Sequence, residues 1–298
     1  MNYTDKKRFP QGVISALVTP FTNTQVDYPS FKALINRQIK AGADGIVILG
    51  TTGESPAVTP LEREKILDFA VRCADGRTFV IAGCGGADTM GAVNSALSAQ
   101  RIGVNGILTV TPYYNKPPQE GLIRHYLSVA EALDVPLMMY NVPSRTGVNI
   151  SCKTAELLFA HENISALKEA STDINDVTEK LTSLSGCDIY CGNDNLILPF
   201  LSLGAKGCVS VVSNALPCEM QKICDKFVLG DTDGAKAEFE KIYPLISALN
   251  GETNPIGIKT LLAHIGVCSD ELRLPLVRCK SETRGKIIKA YEELLPGN

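Results

Sequence analysis

The sequence predicts a (β/α)8 TIM barrel followed by a C-terminal helical extension. Three observations carry this reading. Eight short apolar runs alternate with helical patterns over roughly the first 210 residues. Many of these runs are apolar almost without interruption, as parallel strands buried on both faces require. The linkers between run and helix are short. A doubly wound open sheet is the rival, but it normally needs fewer strands and a glycine-rich first turn that is absent here.

The strand candidates are residues 13–18, 45–49, 78–82, 106–110, 136–140, 164–168, 188–191 and 207–211. In the first helical segment, Phe31, Leu34, Ile35 and Ile39 recur at helical spacing, and Gly42 stops it. The second opens at Thr59-Pro60-Leu61-Glu62, where Thr59 caps, Pro60 suits the first turn and Glu62 completes a capping box. Helices are expected next at 92–102, 119–133, 154–160, 173–184 and 195–203. After about Asn214 the strand signal stops, and 219–228, 234–249, 255–265 and 281–295 read as helices. The expected division is a catalytic barrel over 1–229 with a helical extension over 230–298 packed on it.

The 298 residues can bury a substantial core, as one large domain or two average ones. Net charge is 29 − 32 = −3, with signs mixed along the chain, so nothing points to nucleic acid. The polar start, 1–12, has no apolar core segment, and no apolar stretch approaches the ~18 residues that span a bilayer. The expected compartment is the cytoplasm. Ten cysteines include no Cys-x-x-Cys pair, and the three histidines are not spaced as ligands with them. They read as reduced, buried small apolar residues, and no metal site is expected. A regulatory thiol pair of Cys187 and Cys191, which flank one strand, stays open.

Barrels of this kind carry their chemistry at the carboxyl ends of the strands. The unusual segments fall there. Gly50-Thr51-Thr52-Gly53-Glu54-Ser55 follows the second strand and Thr111-Pro112-Tyr113-Tyr114-Asn115 the fourth. The fifth ends in Tyr140-Asn141-Val142-Pro143-Ser144-Arg145-Thr146-Gly147, the sixth at Lys168, and the seventh leads into Cys191-Gly192-Asn193-Asp194. Alternation along the sixth strand puts Ile164, Ala166 and Lys168 on one face. An amine at the dry end of a strand either snorkels to water or serves as an uncharged nucleophile toward a carbonyl. Each loop has two readings. Gly50 to Gly53 is a tight turn or an anion pocket of backbone N–H groups and hydroxyls. Tyr113 and Tyr114 are packing or interface residues. Arg145 is a solvated charge or a bidentate carboxylate grip. Asp194 most simply caps the helix after it.

With those residues in hand, the chain resembles the dihydrodipicolinate synthase family. That family belongs to the pyruvate-dependent class I aldolase superfamily, which also holds N-acetylneuraminate lyase. The resemblance runs through Gly50-Thr51-Thr52-Gly53-Glu54, Pro112-Tyr113-Tyr114-Asn115-Lys116-Pro117, Tyr140-Asn141-Val142-Pro143-Ser144-Arg145-Thr146-Gly147 and Lys168-Glu169-Ala170. It continues into Asn254-Pro255-Ile256 and Lys259. It implies that Lys168 forms a Schiff base with pyruvate and that the resulting enamine attacks L-aspartate 4-semialdehyde. No cofactor is implied, since the protonated imine is the electron sink. By the same resemblance, Tyr140 relays protons with Thr51 and Tyr114. Thr52 binds the pyruvate carboxylate, Arg145 receives the semialdehyde carboxylate, and the carbonyls of Gly192 and Val209 complete the floor. It further implies a homotetramer, a dimer of dimers, with Tyr114 reaching into the neighbouring subunit's site.

The chain also departs from the family. Members inhibited by lysine carry an asparagine and a glutamate after the third strand, where this chain has Ala87 and Gly91. A family histidine near Pro60 and Arg63 is missing as well. The expectation is weak or absent feedback by lysine, because its ammonium loses a carboxylate partner. Within the superfamily, a lyase of a sugar acid such as N-acetylneuraminate or a 2-keto-3-deoxy acid is the alternative, and Arg145 discriminates against it. A barrel that binds a keto acid without chemistry is the non-enzymatic alternative. It has no use for a lysine nucleophile beside a phenol relay.

Overall fold

The structure, a computed structural model, describes residues 8–184 and 186–295. The leading segment 1–7 and the outermost residues 296–298 of the expected extension lie outside the described residues. Eight parallel strands close into a barrel: β1 Gly12–Ala16, β2 Gly45–Ile48, β3 Phe79–Gly83, β4 Gly106–Val110, β5 Leu137–Asn141, β6 Ile164–Glu169, β7 Asp188–Cys191 and β8 Gly207–Ser210. Each pairs with its sequence neighbours, and β1 closes the ring by pairing with both β8 and β2. The predicted strands and the expected fold class therefore hold.

Alternation along the strands builds two apolar clusters. Ile14, Val47, Ile81, Leu108, Met138, Ala166 and Val209 fill the barrel interior. Val13, Ile46, Val80, Ile107, Met139 and Leu167 face the surrounding helices. One detail of β6 corrects the sequence reading. Leu137 pairs with Ile164 but Met138 with Ala166, so the register slips at Ser165. The bulge turns Ile164 outward, to the helix side, while Ala166 and Lys168 stay inside. Ile164 therefore does not share their face.

Helices α1 Tyr28–Lys40 and α2 Pro60–Ala74 begin at capping side chains. Asp27 accepts from the Ser30 N–H at 3.0 Å, and Thr59 with Glu62 forms the predicted capping box. Further round the barrel lie α3 Thr89–Ile102, α4 Gln119–Glu131, α5 Cys152–Phe159, α6 Ile174–Ser183, α7 Ile197–Ser202 and α8 Pro217–Val228. The extension holds α9 Thr232–Leu249, α10 Ile256–His264 and α11 Ser281–Glu292, with α9 packed on α8 and α11. A two-residue hairpin, Phe21–Thr22 with Gln25–Val26, was too short to leave a periodic signal. Among the described residues no helix is long and apolar enough to cross a membrane.

Cys187 immediately precedes β7 and Cys191 ends it. Four extended residue steps separate them by roughly 13 Å, beyond the ~7 Å between Cα atoms that a disulfide spans. The pair is therefore not a bridge in this fold, and all ten cysteines are free thiols.

His125 on α4 is a buried group that shapes the pH dependence of stability. Its Nδ1 lies 3.0 Å from the Thr89 hydroxyl, and its Nε2 is enclosed without a partner among the described residues. Burial lowers its pKa to about 4, against a smaller opposing pull from Asp88. The folded state then holds fewer protons than the unfolded state between about pH 4 and pH 6.5, so stability falls as pH falls through that window. Urea titrations should show a loss approaching roughly 3 kcal/mol from this group. His125→Asn should flatten that slope. An unchanged slope in the variant would assign it to other groups.

Candidate active site

Strand β6 carries Lys168 into the carboxyl end of the barrel, where it is 5% exposed. Its register neighbour on β5 is Tyr140. The amine stands 4.3 Å from the centroid of the Tyr140 ring. On the other side, Gly192 follows β7. A Cβ placed there would lie 2.8 Å from the Ala170 Cβ, 3.0 Å from the Glu169 carbonyl oxygen and 3.1 Å from Lys168 Cε. A side chain at 192 would therefore displace the amine.

The loop after β2 faces them. Leu49 and Glu54, at its two ends, have φ of +58° and +53°, a left-handed conformation that non-glycine residues rarely adopt. Something must hold such a loop, and Glu54 does so. Its carboxylate is buried, takes the Lys259 ammonium at 2.5 Å and accepts the Arg273 N–H at 3.0 Å. Inside the loop, the N–H groups of Gly53, Glu54 and Ser55 turn back onto its own carbonyls. Those of Thr51 and Thr52 have no partner among the described residues. The anion-pocket reading thus rests on two N–H groups and two hydroxyls.

A cavity of ≈ 640 Å³ opens between these elements. Thr51, Thr52, Tyr140, Arg145, Lys168 and Gly192 line it. Six of the eight predicted site residues therefore meet at one space. The other two do not. Val209 is buried in the barrel interior on β8, and its side chain does not reach the cavity. Tyr114, at φ +70°, is 89% exposed and stands outside the cavity of its own chain. A second cavity of ≈ 820 Å³ adjoins the first, with Thr51, Tyr140 and Arg145 in both walls. Arg63, Ala87, Gly91 and Tyr113 line the second.

Two features escaped the sequence reading. Asp194 does not cap the helix after it. Its carboxylate instead accepts the N–H groups of Val211 and Val212, each at 2.9 Å, and so fixes the loop after β8. Burial pushes its pKa up, and hydrogen bonds together with the Lys168 charge pull the other way. The extension is also more than a wrapper. Residues 246 and 249–254, with Gly257 and Ile258, line the Lys168 cavity.

Behind the site lies a dry polar network. Lys180, fully buried, pairs with Glu169 at 2.8 Å and Asp176 at 2.7 Å. The Asn141 amide donates to Glu169 at 2.9 Å. Glu169 and Asn141 directly follow Lys168 and Tyr140 in the chain. The network therefore fixes the backbone from which both functional side chains project, on the opposite face of the sheet.

Comparison with known proteins settles the lineage. The model of the Dihydrodipicolinate synthetase family matches residues 9–294. This chain belongs to that family. It is 45% identical over 285 residues to a 4-hydroxy-tetrahydrodipicolinate synthase of Methanococcus maripaludis, strain C6, covering 95% of this chain and 98% of that one. Among solved structures, it superposes on the dihydrodipicolinate synthase of Thermotoga maritima with a TM-score of 0.94 at 38% identity, covering 96% of this chain and 99% of that one. The chloride-inhibited dihydrodipicolinate synthase of Acinetobacter baumannii, solved with pyruvate, gives 0.93 at 36% identity over 95% and 98%. Membership fits the site: a buried lysine beside a tyrosine ring, at the end of a barrel, facing a paired-threonine loop.

Proposed function

We propose that this chain condenses pyruvate with L-aspartate 4-semialdehyde to give 4-hydroxy-tetrahydrodipicolinate, on the route to diaminopimelate and lysine. The enclosed Lys168 amine, 4.3 Å from the Tyr140 ring centroid, is the observation that carries the reading. In its neutral form the amine adds to the ketone carbon of pyruvate, and water leaves to form a protonated imine. A methyl proton then departs, giving an enamine whose carbon bonds to the aldehyde carbon. The amine of the second substrate next attacks the imine carbon, closing the six-membered ring and releasing Lys168. One water leaves per turnover, so the atoms balance.

The residues divide the work by position. Thr52 and the free N–H groups of its loop receive the pyruvate carboxylate. Arg145, in the lining of the same cavity, offers its planar fork to the semialdehyde carboxylate. Tyr140 moves protons at the imine carbon, through Thr51. Tyr114 is too exposed to serve its own chain, so it completes the relay in a neighbouring subunit, within a homotetramer built as a dimer of dimers. In this reading the carbonyls of Gly192 and Val209 complete the floor beneath the amine. The setting is the cytoplasm, where ten thiols stay reduced.

The second cavity supports weak feedback. Ala87 and Gly91 line it and offer no charge. Its two acids are exposed and each already accepts a hydrogen bond: Asp88 from the Gly91 N–H at 2.7 Å, and Glu64 from the Ser98 hydroxyl at 2.7 Å. The Arg63 guanidinium, which donates to Ser55 and Gly83, adds a like charge against a lysine ammonium. A coupled assay tests the whole reading. Product should form from pyruvate and the semialdehyde, with no cleavage of N-acetylneuraminate or 2-keto-3-deoxy acids. Millimolar lysine should leave the rate within about twofold. Sugar-acid cleavage in place of condensation would overturn the assignment.

A further inference from the structure

The extension, not the barrel alone, sets the aim of the pyruvate-binding hydroxyl: we propose that Asn254 is a positioning residue that fixes the hydroxyl of Thr52. This deepens the reading of the cavity as a keto-acid site and rests on it. Asn254 stands just before α10 and lines the Lys168 cavity. Its Nδ2 donates to the Thr52 Oγ at 3.0 Å, between residues 202 apart in the chain. Its backbone carbonyl accepts from Arg145 Nη2 at 3.3 Å. One residue thus touches the groups assigned to both substrate carboxylates.

The chemistry of a hydroxyl gives that contact a direction. A threonine hydroxyl has one proton and two lone pairs. With a lone pair occupied by the Asn254 amide, its own proton is left to donate, which is the role an anionic carboxylate needs. Thr52 is 2% exposed, so water competes little for that proton. Arg145 in turn spends one donor on the Asn254 carbonyl and keeps the others of its fork. The Asn254 Oδ1 is enclosed without a partner among the described residues. A residue kept only for packing has no reason to hold an unpaired amide oxygen there.

The loop is gripped at Thr52 and at its Glu54 end by one short stretch of chain, residues 254–259. Asn254 holds Thr52, and Lys259, on α10, holds Glu54. The stretch from Asn254 into the first turn of α10 therefore sets both the height of the loop and the orientation of its hydroxyl.

The test follows trapping of pyruvate on Lys168 by borohydride as pyruvate concentration varies, with melting temperature measured alongside. Asn254→Ala should raise the half-saturating pyruvate about tenfold, leaving the amount trapped at saturation unchanged. Thr52→Val should do the same. The double variant should be no worse than Thr52→Val alone, because both changes remove one interaction. Asn254→Asp matches asparagine in size but cannot donate, so it turns the Thr52 proton toward itself and should be worse than alanine. A packing role predicts the reverse order, with aspartate the mild change. Additive effects of Asn254→Ala and Thr52→Val, or an unchanged half-saturation in Asn254→Ala, would overturn the assignment. No trapping in the unmodified protein would instead overturn the keto-acid reading itself, and this assignment with it.

Discussion

Lys168→Ala should lower turnover by at least about 10³-fold, because no other group in the cavity can form the imine. The variant should still fold. The amine makes no ion pair among the described residues, and it faces a cavity rather than packed core. Lys168→Arg sharpens the result. Arginine keeps the charge and much of the length, but its guanidinium does not deprotonate in proteins and cannot add to a ketone. If the cavity only bound a keto acid, arginine would keep most of the binding. If it works through an imine, arginine should be as inactive as alanine. Steady-state rates beside pyruvate trapping separate the two.

The second large effect concerns stability. Lys259→Met should cost about 3–5 kcal/mol, since it strands the Glu54 carboxylate in a site with 1% side-chain exposure. In thermal denaturation that is a fall on the order of 10 °C. Lys259 is itself held below its usual pKa by burial, against the pull of Glu54. The pair is thus costly to assemble and more costly to break. The double variant Glu54→Gln/Lys259→Met should recover more than half of the loss. The glutamine oxygen can still accept the Arg273 N–H, and no charge is left buried. A double variant as unstable as the single would show that shape, not charge, sets the cost. Because Glu54 ends the Thr51–Thr52 loop, the single variant should also weaken pyruvate binding.

The barrel was legible because its strands are short, apolar and regularly spaced, and each pairs with its sequence neighbour. Local pattern and global topology agree in such a fold. The bulge at Ser165 was not legible, since a one-residue register slip leaves no trace in composition. The site was read mainly through Lys168, Tyr140, Arg145 and the threonine pair, all at strand ends where this fold keeps its chemistry. Asp194 was misread because a carboxylate before a helix has the signature of a cap, and only the fold brings Val211 and Val212 to it. Asn254 belonged to a recognisable motif, but its contact with Thr52 spans two thirds of the chain. No local periodicity encodes that distance. Tyr114 was placed at the right rim, yet its exposure leaves it outside the cavity of its own chain.

The covalent step is open to direct measurement. The protein is incubated with pyruvate, reduced with borohydride, weighed intact and mapped by peptide. The account predicts a gain of one pyruvic acid less one oxygen atom per chain, carried on Lys168 alone. A mass unchanged by pyruvate, or an adduct on any other lysine, would contradict it.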